Sequence, residues 1–200
     1  MANTSRSNYI KLLPPILLIA ISTYLNLFLG SLINNLYPNR QPLADFLFDS
    51  LPFVPSAQYL TDAVVLLSGA IVIYYFIKYE KRHLPYALYA FGFFYLLRAL
   101  LVVLNPVSGY FGTEATFGLT SIKPYGAFPS GHVGFAVVCY LLVSSSVAKY
   151  TKGILYFLVI VEAASLLLAR GHYGIDIVGG LLLGYFVVSE LSKSKENLSI

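Results

Sequence analysis

A chain of 200 residues with 58% hydrophobic and 11% charged side chains lies far from soluble domains, in which about a quarter of residues are charged. Its formal net charge of +4 comes without a basic stripe interleaved with aromatics outside the apolar runs, which argues against nucleic acid as a partner. Cys139 is the only cysteine, so an intrachain disulfide is excluded.

Six apolar stretches predict membrane helices at about 12–33, 60–77, 85–104, 133–148, 154–169 and 175–191. Most approach the roughly 20 residues that cross a bilayer, and the last three are slightly short. In lipid each must satisfy its own backbone hydrogen bonds, so each is read as a helix. The fold class is therefore an all-α integral membrane bundle of six helices, a single domain over residues 1–200. The first stretch follows Arg6 and Lys11. It is too long for the apolar region of a signal peptide and is expected to stay as the first helix.

The connection that follows contains "NRQPLADFLFDSLPFVP", in which prolines interrupt an apolar face. That pattern suits a short interfacial helix. Asp45 and Asp49 read as its solvated face, and Asp62 as a helix-start residue of the second span. Lys78, Lys81 and Arg82 join the second span to the third, which carries Arg98 six residues from its end, about 9 Å deep at the helical rise. The long connection at 105–129 contains Lys123, a candidate to reach a site at that face. The fourth and fifth spans are expected to turn at "AKYTKG", and Glu162 lies in the fifth at a depth comparable to Arg98. Equal depth makes Glu162 a candidate charge partner for Arg98. In the last span "GGLLLG" puts Gly180 and Gly184 at a spacing used for close helix contact. The end of the chain, "ELSKSKENLSI", reads as a solvated tail.

Nine of the thirteen Lys and Arg residues fall on one face: Arg6, Lys11, Lys78, Lys81, Arg82, Lys149, Lys152, Lys193 and Lys195. The positive-inside rule then places both termini in the cytoplasm and the connections at 34–59 and 105–129 outside, most simply at a plasma or cell membrane.

"AFPSGHVGF" opens the fourth span and "ARGHYGIDIVGG" lies between the fifth and sixth. The intervening chain goes down one helix and returns on another, so His132 and His172 emerge at the same face. His172 and Asp176 are four apart and share one side of a helix. The carboxylate can hold one ring nitrogen and leave the other free to attack. Arg170 adds a permanent cation. Ser130 is a good N-cap, and the helix start with Gly131 offers amides that favour phosphate. Together these point to phosphoryl transfer, with Arg98, Arg170, Ser130, Gly131 and Lys123 as candidate phosphate-binding residues. The His, Cys and carboxylate side chains do not cluster as a metal site, and no cofactor is expected.

"PSGH" at 129–132 and "HYGID" at 172–176 resemble the second and third signature motifs of the type 2 phosphatidic acid phosphatases. The resemblance implies a six-helix membrane core and a metal-free phosphohistidine intermediate. It assigns His172 as nucleophile, Asp176 as its orienting partner and His132 as general acid and base. Two features depart from those phosphatases. Leu166 stands where they carry an arginine after a serine (Ser165 here), and their first motif is absent. "PLAD" at 42–45 and the Tyr95/Arg98 element in "FYLLRALLVVLNP" resemble the sphingomyelin synthases instead, with Ala44 and Asn105 as substitutions. That branch implies transfer of a phosphate-linked head group from a lipid phosphoester donor to a lipid alcohol. Hydrolysis of a phosphatidic acid-like or polyprenyl phosphate, with water as acceptor, is the alternative. A non-catalytic lipid or ion transporter is the second alternative, although a path needs polar groups along its whole depth.

Overall fold

The computed structural model describes residues 2–106 and 128–197, with side chains for 11–106 and 128–194. Among the described residues all regular structure is helical: α1 (Ala2–Leu36), α2 (Phe46–Ser50), α3 (Ala57–Tyr79), a 3-10 turn (Lys81–His83), α4 (Leu84–Leu104), α5 (Gly131–Leu142), α6 (Ser145–Leu168) and α7 (Gly174–Asn197). Five segments are long and apolar enough to cross a membrane: Lys11–Leu36, Ala57–Tyr79, Lys81–Leu104, Ser145–Leu168 and Gly174–Ser194. This pattern suggests an integral membrane protein. The sixth expected span, α5, has 12 residues and a length of about 18 Å, short of a roughly 30 Å hydrocarbon core.

The early end of α5 corrects the expected turn. Val143 and Ser144 are extended, with φ/ψ of −86/124 and −74/129. Both are held there, because the Ser144 amide donates to the Tyr75 hydroxyl at 3.3 Å and Lys152 Nζ donates to the Val143 carbonyl at 2.9 Å. A run of three serines then favours a new helix start over continuation. The "AKYTKG" run consequently lies inside α6, where only Ala148 leaves helical geometry (φ −144, ψ 63).

The helices alternate in direction through α6, and α7 runs parallel to α5. Contacts at both ends fix this arrangement. At one end Thr61 Oγ1 meets Ser165 Oγ at 2.9 Å and the Val54 amide donates to Leu168 O at 2.8 Å. At the other, Tyr75 reaches Ser144 and Tyr86 Oη donates to Val188 O at 3.4 Å. α4 packs on α1, α5 and α7, whereas α6 packs on α3 and α5. The core between α3, α4, α5 and α6 is built from Val64, Val72, Tyr75, Phe76, Ala87, Cys139, Val143, Leu155 and Leu158.

Lipid tails are as apolar as these side chains, so close packing has to hold the helices together. It is tightest between α5 and α7. A methyl group at Gly180 would lie 2.6 Å from Ser130 O, and one at Gly184 would lie 3.0 Å from Gly134 O. Gly134 in turn admits the Phe94 ring, 2.2 Å from where its own Cβ would stand. The spacing of Gly180 and Gly184 is thus used for backbone contact, as expected.

Gly180→Ala should cost about 1–3 kcal/mol through overpacking, read as a lowered thermal midpoint in detergent. Gly153→Ala is the control, since among the described residues nothing beyond its chain neighbours and its own helix backbone lies within 4 Å of the added methyl. That variant should match or exceed the native midpoint, because alanine is the better helix former. Equal shifts for the two would refute the backbone contact.

Candidate active site

The site forms where α5 and α7 begin side by side. Ser130 caps α5, its Oγ accepting from the Val133 amide at 3.3 Å. Its own amide donates to Asp176 O at 2.9 Å, tying the cap of one helix to the first turn of the other. Tyr173 caps α7. Asp176, in the third helical position, reaches back so that its Oδ2 accepts the Tyr173 amide at 3.0 Å. This is the returning half of a capping box.

The same Oδ2 lies 3.4 Å from His172 Nδ1, a long contact that orients the ring and leaves Nε2 pointing elsewhere. Asp176 Oδ1 is buried without a hydrogen-bond partner among the described residues. The His132 and His172 rings stand 6.0 Å apart between centroids, at 63°. His172 and Asp176 are buried, and His132 is half-buried. The two histidine motifs therefore meet at one end of the bundle. His83, the third histidine, sits at the other end against Glu80.

Arg98 comes to this pair from α4. Its Nε donates to Pro129 O at 3.0 Å and its Nη1 to Asn26 Oδ1 at 2.7 Å. It interacts electrostatically with both Asp176 and His132. Gly131 leaves room for it, since a Cβ there would fall 2.9 Å from Arg98 Nε. Ser130, Gly131, His132, Arg98, His172 and Asp176 thus converge. Lys123 lies outside the described residues.

Glu162 requires a correction. Expected as a charge partner for Arg98, it is fully buried, and neither carboxylate oxygen is hydrogen-bonded among the described residues. Its described charge interaction is with Asp62, which is itself buried rather than a simple helix-start residue. Depth was matched, but α5 stands between α4 and α6.

Arg170 has a different setting from the one its charge suggests. α6 ends in a Schellman motif, with Arg170 N to Leu167 O at 3.1 Å and Gly171 N to Leu166 O at 2.9 Å. Arg170 takes the left-handed position (φ 53), which costs a non-glycine residue about 1 kcal/mol or more. Its guanidinium donates to Phe48 O at 3.1 Å and lies over the Phe48 and Phe53 rings at 5.8 and 5.2 Å. It acts as a strut between the end of α6 and the loop that carries α2.

That loop also corrects the reading of Asp45 as a solvated residue. Oδ1 caps α2, accepting from Leu47 N at 2.8 Å and Phe48 N at 3.3 Å, while Oδ2 accepts from Gly174 N at 2.6 Å. Asp49 is exposed, as expected. The expected interfacial helix appears as α2, with Phe46 80% exposed and Phe48 buried 5.3 Å from the Tyr173 ring. Asn26 was missed. A lone amide in an apolar span was the available signal, and its Nδ2 bonds Ser22 O and Tyr95 O while its Oδ1 holds Arg98.

Residues 106–198 match the family model of the PAP2 superfamily. The match spans both histidine motifs and supports membership of that superfamily, whose members are generally phosphatases or phosphotransferases. The class it suggests is a membrane-embedded lipid phosphatase or phosphotransferase. No curated protein matches the chain.

Arg170→Lys keeps the charge but loses the planar fork and its stacking. It should lower stability by about 1 kcal/mol, and combined with Phe48→Ala the loss should be smaller than the sum of the singles. Strict additivity in thermal melts would show that the strut does not exist.

Proposed function

We propose that the protein transfers a phosphate-linked head group from a lipid phosphoester to a lipid alcohol through a phosphohistidine on His172. The observation that carries this reading is the 6.0 Å His132–His172 pair, with Asp176 behind one ring and the Arg98 guanidinium beside the other. Asp176 fixes the tautomer, so that His172 Nε2 carries the lone pair. As the Nε2–P bond forms, the bond from phosphorus to the donor lipid oxygen breaks, and His132 gives that oxygen a proton. His132 then takes the proton of the acceptor hydroxyl, which attacks phosphorus and releases His172.

Arg98 and the start of α5 at Ser130 and Gly131 stabilise the phosphoryl oxygens as charge builds. Arg170 is occupied by the loop and stays outside this set. Leu166, fully buried, stands where the phosphatases' signature carries its arginine. Arg98 supplies the cation from another helix. Together with the sphingomyelin synthase-like "PLAD" and Tyr95/Arg98 elements, this departure favours transfer over hydrolysis. The distribution of basic residues supports placing the site on the extracytoplasmic side of the plasma or cell membrane, with both termini inside.

The test supplies purified protein with lipid phosphoesters, with and without a lipid alcohol. A head group moved to the alcohol supports transfer. Release to water alone makes the protein a phosphatase, and no turnover with any donor favours transport. His172→Ala should trap no phosphoenzyme with any donor. His132→Ala should keep part of the first step with a nitrophenyl donor, whose leaving group needs no proton, and almost none with a lipid donor. Trapping by His172→Ala, or equal damage to both donors from His132→Ala, would sink the assignment.

A further inference from the structure

The loop between α1 and α3 touches the chain immediately after His172. Asp45 is its central contact. One carboxylate oxygen caps α2, and the other takes the Gly174 amide at 2.6 Å, a pairing across 129 positions. Gly174 N is among the first amides of α7, which have no partner within the helix. The neighbouring Tyr173 amide goes to Asp176 Oδ2 at 3.0 Å. Two carboxylates therefore hold two successive amides immediately after His172, one from the loop and one from α7.

Tyr173 adds a second link. Its hydroxyl accepts from the Leu43 amide at 3.0 Å, and its buried ring lies against Phe48. Leu47 packs on the same residue, its Cδ1 2.9 Å from where a Cβ on Gly174 would stand.

We propose that Asp45 is a positioning residue for His172, acting through the Gly174 amide. Capping alone does not call for a carboxylate, since serine caps a helix about as well. A group with two acceptors is needed to cap α2 and hold α7 at once. With both contacts in place, the backbone of 172–174 is gripped from two sides and the imidazole is kept in reach of Asp176 and His132. The role in catalysis rests on the phosphohistidine reading above, whereas the placement of His172 does not.

The experiment uses the full chain in detergent. Asp45→Ser keeps a capping oxygen but is too short to reach Gly174, and Asp45→Asn keeps the size with one acceptor fewer. Two quantities are read beside the thermal midpoint. The first is kcat and KM for a nitrophenyl phosphodiester. The second is the rate at which diethylpyrocarbonate modifies His172, followed by mass spectrometry with His83 as internal reference. Asp45→Ser should keep the native midpoint within about 3 °C. It should lose about 10- to 100-fold in kcat, the scale of a displaced reacting group, with KM within about twofold. The His172/His83 modification ratio should change in both variants.

Native kcat together with a native modification ratio in a folded variant overturns the proposal, as does a loss confined to KM. If Asp45→Ser does not fold, Asp45→Asn decides on the same readouts. A wild-type protein that forms no phosphohistidine overturns the functional reading instead. The modification ratio then still decides whether Asp45 places His172.

Discussion

Everything at the site depends on the backbone contact between α5 and α7. Gly134, Gly180 and Gly184 remove the side chains that would keep the two helices apart. Because α5 and α7 run parallel, their positive ends stand side by side. Aligned dipoles at that distance repel. Part of the repulsion is offset where Ser130 N–H meets Asp176 O and where Asp176 lies at the start of α7. On the proposed function a bound phosphate would offset the remainder, so the strain of bringing two helix starts together would become affinity for the substrate.

Around this contact each functional group has its own support from a different part of the chain. Asn26 on α1 holds Arg98 on α4, and Asp45 and Tyr173 join the first loop to the start of α7. Part-buried polar groups connected this way favour one arrangement, because each loss leaves a partner short of a hydrogen bond where water reaches it only in part. Glu162 is the exception. Its carboxylate is enclosed beside Asp62 with no hydrogen-bond partner among the described residues, and nothing in the proposed chemistry uses it.

The sequence was most informative where the relevant quantity is one-dimensional. The spacing of apolar runs located the helices, and counting passages put His132 and His172 at one end. It was least informative where the quantity is angular. Arg98 and Glu162 share a depth but face different neighbours, and no periodicity in a nearly uniform apolar span reveals which way a residue points. Asp45 was misread for a related reason. Its role as a cap was legible from the apolar residues after it, but its second oxygen meets an amide far along the chain. The end of α5 was missed because Val143 is as apolar as the helix before it, and the partners that stop it, Tyr75 and Lys152, come from other helices.

The shortness of α5 sets the height of the site. Gly131 lies beside Arg98, six residues before α4 ends at Leu104, so the histidines are recessed about 9 Å below that rim. Phospholipid head groups lie outside the hydrocarbon region. A donor in an unperturbed bilayer would therefore hold its phosphorus above the histidines rather than among them. Either the lipid sinks or the membrane thins against the protein, at a cost of fractions of a kcal/mol per Å of mismatch. If the proposed transfer is the reaction, acyl-chain length in the surrounding bilayer would enter its barrier, and membrane thickness would become a control on turnover that no polar residue encodes.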